Sequence, residues 1–293
     1  MKALDRALLA LEGLSIGDAL GDQFNAKTVA IGRCLLQRDA PPGPWRWTDD
    51  TLMACSVVEV LEAHGTLDPL LFADSLVARY EPGRGYGPAM RRVLKDADSG
   101  AAAMHQCSQL FEGTGSYGNG AVMRIAPLGA YLLDPALAAR EAERSACATH
   151  AHPEAAAGAA AIAAAAALLL ADDVDSIFAS LLDLVPPSEV RNAIENVRRI
   201  PFDTAPLEVA KRTRAIRDIS CQRTAPFCLW VALRNKDNFE RAIWDVTAVG
   251  GDRDTHAAIV GGMLACRVGA DAIPTTWRER REPLPSWITR LSH

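Results

Sequence analysis

From Ala155 to Ala171 the chain carries no polar side chain, and most of the run is alanine. Alanine is the strongest helix former, and a helix that is apolar on every side must be buried on every side. The run approaches the ~18 residues of a membrane-helix candidate. Alanine partitions weakly into lipid, however, and Glu154 and Asp172-Asp173 bracket the run, so a central buried helix is the expectation.

The rest of the chain suits that requirement. Apolar residues recur at helical spacing in Leu4–Leu20, Leu52–Ala63, Leu70–Tyr80, Ala136–Ala148, Val174–Val185, Val190–Val197, Val209–Ile216, Phe227–Leu233, Phe239–Val249 and Ala257–Val268. Alternating β-branched runs are almost absent, so the fold class is all-α. The breaks, Pro41-Pro42-Gly43-Pro44, Glu81 to Gly85, Gly113 to Gly120 and Pro186-Pro187, are too short for interdomain linkers. No heptad register is sustained across the helices. The expectation is a compact multi-helix globule forming a single domain over 1–293.

At 293 residues, with 49% apolar composition, the chain can build one continuous core. A net charge of −5 gives no electrostatic footprint for nucleic acid. Seven scattered cysteines, none in a C-x-x-C pair, read as small core residues in a reducing cytosol. The start, Met1-Lys2-Ala3-Leu4-Asp5-Arg6, lacks a cleavage site, so a cytoplasmic location with no membrane partner is expected.

Chemistry concentrates at two helix starts. Thr48-Asp49-Asp50-Thr51 leads into one apolar helix and Gly250-Gly251-Asp252-Arg253-Asp254-Thr255 into another. A capping threonine and first-turn acids explain either cluster alone. Together, if they converge, they offer four carboxylates with hydroxyls and no His or Cys. That hard-oxygen set favours Mg²⁺, Mn²⁺ or Ca²⁺ over Zn²⁺, with room for two ions. Three further segments are weaker signals. Gly115-Ser116-Tyr117-Gly118-Asn119-Gly120 can bring backbone N–H groups to an anion, with Tyr117 as a stacking ring. Gly13 to Asp22 places a buried-looking Asp18 among helix glycines, explained by close helix packing or by access to a ligand. His150 and His152 precede the alanine run and can cap it or face a cavity.

In this order, Gly17-Asp18-Ala19-Leu20-Gly21, Thr48 to Thr51, Gly115 to Gly120 with Met123-Arg124, Thr149-His150 and Gly250 to Thr255 resemble the motifs of the ADP-ribosylglycohydrolase family. The resemblance spans the chain and implies an all-α fold with two Mg²⁺ ions, or Mn²⁺, at the mouth of an ADP-ribose cleft. By it, Thr48, Asp49, Asp50, Asp252, Asp254 and Thr255 are metal ligands, with Asp49 and Asp50 also in catalytic roles. Phe111 and Tyr117 correspond to stacking positions on the adenosine side. Gly115, Ser116, Gly118, Asn119 and Met123 correspond to the phosphate and ribose loop, and His150 to a distal-ribose contact.

One departure concerns catalysis. Where family members usually carry a glutamate after the Gly-Asp-Ala-Leu-Gly motif, this chain has Asn25, an amide that cannot accept a proton; Asp22 is the candidate to compensate. The implied activity is hydrolysis of the glycosidic bond joining ADP-ribose to a protein side chain, a small-molecule acceptor or an ADP-ribosylated nucleic acid. Because of Asn25, the alternative is an ADP-ribose-binding protein of the same fold with impaired catalysis. A structural all-α protein whose acidic helix starts are merely caps is a further alternative.

Overall fold

The computed structural model of the chain describes residues 1–25, 29–170 and 173–289. It is helical, with no β-strand among the described residues and only isolated bridges at Trp45–Arg281 and Gly118–Ser220. In chain order the helices are α1 (Ala3–Gln23), α2 (Val29–Gln37), α3 (Asp49–His64), α4 (Pro69–Ala78), α5 (Pro88–Asp96) and α6 (Gly100–Ser108). After the glycine-rich stretch come α7 (Gly120–Met123), α8 (Ala126–Leu132), α9 (Pro135–Ala146), α10 (Pro153–Leu168), α11 (Val174–Leu184) and α12 (Glu189–Arg198). The remaining helices are α13 (Pro206–Thr213), α14 (Cys221–Arg234), α15 (Phe239–Ala248), α16 (Arg253–Val268), α17 (Thr275–Arg280) and α18 (Ser286–Thr289).

Several helices begin earlier than their apolar pattern, because capping decides the start. Asp68-Pro69, Asp134-Pro135 and His152-Pro153 each pair an N-cap that accepts backbone N–H groups with a proline in the first turn. The alanine helix accordingly runs from Pro153 to Leu168; Ala171 and Asp172 lie outside the described residues. Helices α5 and α6 were not expected. Helix α5 buries only Met90, Val93 and Leu94, too few apolar positions to stand out as a period, and α6 is capped by Ser99. Helix α2, likewise not expected, ends at Gln37, ahead of the break at Pro41-Pro42-Gly43-Pro44.

Two packing arrangements position the site. Helix α10 lies in the core against α8, α9 and α14, with its residues from Ala157 to Ala166 almost wholly buried. Helices α1 and α16 run antiparallel and pack more extensively than any other pair. A Cβ added to Gly13, Gly17 or Gly21 would lie 2.5, 2.1 and 2.5 Å from the carbonyl oxygens of Gly261, Ala257 and Arg253. Four-residue spacing on both helices thus makes a backbone-to-backbone seam, and it places the end of α1 beside the start of α16. One connected cluster of buried apolar residues extends from Leu9 to Trp277. No described helix is long and apolar enough to cross a membrane.

Candidate active site

The seam sets Asp18 where α3 begins. Its fully buried carboxylate accepts from Thr48 N and Oγ1 at 2.8 and 2.9 Å, and from Thr51 N and Oγ1 at 3.1 and 2.5 Å. A residue of α1 therefore serves as an external cap for α3, satisfying N–H groups that the helix itself leaves open. Thr48, the N-cap, accepts from Asp50 N at 3.3 Å, and its Oγ1 lies 3.0 Å from Asp50 Oδ2, which ties the first-turn carboxylate to the cap. Nearby, Asp49 N donates to Arg84 O at 2.6 Å. Arg84 is itself fixed by Glu282 at 2.5 Å and by the Trp47 ring, 3.3 Å from its guanidinium carbon. Gly85 follows with φ +96°, and a Cβ there would stand 3.2 Å from Asp49 Oδ1, so the wall beside this carboxylate is kept bare.

The second acidic cluster meets the first. Thr255 Oγ1 donates to Asp50 Oδ2 at 3.3 Å, across 205 positions of sequence. Asn119 of the glycine loop donates through Nδ2 to Asp252 Oδ2 at 2.8 Å, so that loop belongs to the same assembly. A cleft of about 320 Å³ is lined by Asp49, Asp50, Asp252, Asp254 and Thr255, and also by Phe111, Ser116, Gly118, Asn119, Met123 and His150. Thr48 lies buried behind the carboxylates.

Other expected residues stand elsewhere. Tyr117 is half exposed, its ring edge-on to His152 at 5.2 Å, and neither Tyr117 nor Gly115 lines the cleft. His152 caps α10. Asn25 is exposed and hydrogen-bonds the half-buried Asp22, and neither reaches the lining. Pro88, Met90 and Ile219 line the cleft without having been singled out, and Gly85 and Gly87 line it beside them. The break from Glu81 to Gly85 was legible; nothing in the sequence marked Ile219.

The electrostatics are one-sided. Burial pushes the Asp18 carboxyl up to about 6 against its threonine donors. Burial, then repulsion from Asp18 and Asp252, raises Asp49 to about 7. Burial, then Asp252 and Asp18, raises Asp254 to about 8; burial, then Asp18 and Asp254, carries Asp50 well above the carboxylate range. No lysine or arginine is among the residues lining the cleft. Asp50 Oδ1 and Asp254 Oδ1 are buried without a hydrogen-bond partner. Unsatisfied carboxylate oxygens, hydroxyls and uncompensated charge fit hard divalent cations. The fit lies in donor chemistry, since no three His, Cys, Asp or Glu side chains among the described residues close around one point.

The chain is similar to known proteins over nearly its whole length. A family model described as ADP-ribosylglycohydrolase matches residues 1–293. The chain is 27% identical to "ADP-ribosylhydrolase ARH3" of Gallus gallus, covering 93% of this chain and 88% of that protein. It is also 27% identical to "ADP-ribosylarginine hydrolase Tri1" of Pseudomonas putida (strain GB-1), over 95% of this chain and 75% of the relative. A solved "ADP-ribosylglycohydrolase-related protein complex" superposes with a TM-score of 0.67 at 26% identity, covering 96% of this chain and 93% of the other.

Proposed function

Because the chain belongs to the ADP-ribosylglycohydrolase family, we propose that it is a metal-dependent hydrolase that cleaves the glycosidic bond between ADP-ribose and an acceptor, a protein side chain or small molecule. The observation that carries this reading is the Thr255–Asp50 hydrogen bond, which joins two distant acidic helix starts in one cleft. Thr48, Asp49, Asp50, Asp252, Asp254 and Thr255 would hold two Mg²⁺ or Mn²⁺ ions. When bound, such ions make water a stronger nucleophile and offset charge on the substrate.

The chain's own groups do the rest. Phe111 offers a ring to the adenosine end of the cleft, and Ser116, Gly118 and Asn119 form the wall for phosphates and ribose. His150 faces the same space. Asp49 takes the proton of the attacking water at a carboxylate oxygen beside Gly85. The surrounding acids favour the positive charge that develops at the anomeric carbon. Asn25 favours a second reading, a binder without turnover, because that segment brings no carboxylate to the lining.

Purified chain with Mg²⁺, incubated with arginine-, serine- and nucleic-acid-linked ADP-ribose, is expected to release free ADP-ribose from at least one substrate. Asp49→Ala and Asp254→Ala should abolish release while leaving the helical circular dichroism unchanged. Tight ADP-ribose binding with no release from any substrate would select the binder instead.

A further inference from the structure

Arg124, the residue after α7, is fully buried, its guanidinium carbon 4.8 Å from the Phe72 ring centre. No carboxylate among the described residues pairs with it, and its Nε and Nη2 have no hydrogen-bond partner. Its hydrogen bond runs from Nη1 to Thr149 Oγ1 at 2.7 Å. A buried cation with so little compensation is costly, and helix packing alone does not call for one.

What that bond does follows from donor counting. A guanidinium only donates, so Thr149 Oγ1 accepts from it. A hydroxyl can accept twice, but His150 Nδ1 at 2.7 Å is the other partner of this fully buried Oγ1 among the described residues; if Nδ1 also donated, the hydroxyl proton would be buried with no acceptor, so that proton points to Nδ1. Nδ1 is then an acceptor, and the ring proton of a neutral imidazole must sit on Nε2. The ring is pressed against the glycine loop, where a Cβ at Gly120 would stand 2.5 Å from Cε1 and 2.9 Å from Nε2. No described group bonds Nε2, and His150 lines the cleft. Burial, then Arg124, holds the imidazole neutral, with its pKa lowered to about 3.

We propose that Arg124 and Thr149 are positioning residues that hold His150 as an Nε2–H donor facing the cleft, ready for a ribose oxygen of ADP-ribose. The identity of that ligand rests on the proposed function; the tautomer does not.

Long-range proton–nitrogen NMR of the full chain, with His150 assigned by its loss in His150→Gln, reads the tautomer directly. The expected result is Nε2–H in the wild type and in Thr149→Ser, and a mixed or inverted ring in Thr149→Val. An Nδ1–H ring in the wild type overturns the proposal, even if Thr149→Val fails to fold. In parallel, Thr149→Val should weaken ADP-ribose binding about tenfold while Thr149→Ser stays within about twofold. Unchanged affinity in Thr149→Val with an altered tautomer removes the positioning role. An Nε2–H ring in a protein that binds no ADP-ribose supports the relay and refutes the proposed function.

Discussion

Asp50 and Asp254 each bury an oxygen with no hydrogen-bond partner among the described residues, beside the further carboxylates of Asp18 and Asp252. In the absence of divalent ions these carboxylates oppose folding, because burial and mutual repulsion hold their protons far above the ordinary range. Asp254→Asn should therefore be more stable than the wild type in chelator at pH 8, by at least about 1 kcal/mol in urea unfolding. It should gain nothing from Mg²⁺ and should not turn over. A less stable variant under those conditions would show that the charge is already compensated. At this scale the two acidic clusters and their helix starts were legible, since capping residues and paired acids are local signals. The four bonds from Thr48 and Thr51 to Asp18 were not, because they span 30 and 33 positions and exist only once α1 packs on α3.

The element that decides this packing is the α1–α16 seam. Gly17→Ala would drive a Cβ to 2.1 Å from Ala257 O, a backbone atom that cannot step aside. We expect a loss of roughly 2–3 kcal/mol or more in the urea midpoint, with loss of activity because Asp18 and Asp254 shift apart. Gly32→Ala is the contrasting case: it lies in α2 with nothing within 4 Å, and it should stabilise by up to about 1 kcal/mol through helix propensity alone. Equal effects from the two substitutions would refute the seam. Glycines four apart in Gly13, Gly17 and Gly21 showed in the sequence that something packs close. That the partner is Gly261, Ala257 and Arg253 in antiparallel register was not readable, because small residues fit many neighbours and only the tertiary fold selects one. The alanine helix is similar: its burial was legible, while the approach of Gly129 to Ala163 O, 2.0 Å from a built Cβ, was not.

For the whole molecule, the acids make stability depend on pH and on cations together. Asp254 is pushed up to about 8 in the fold and titrates near 3.8 when unfolded, so between those values the folded chain binds more protons. Stability without divalent ions must then fall as pH rises through that window. The expected observation is a Tm in chelator that drops from pH 5 to pH 8. Mg²⁺ at a hundredfold excess over its Kd should restore about 2.7 kcal/mol, more of it visible at pH 8 than at pH 5. The most direct test of the shared site is anomalous diffraction from crystals grown with Mn²⁺. Peaks within about 2.5 Å of both Asp50 and Asp254 carboxylate oxygens are the predicted result; a cleft without a peak at either residue, in crystals saturated with manganese, would contradict it.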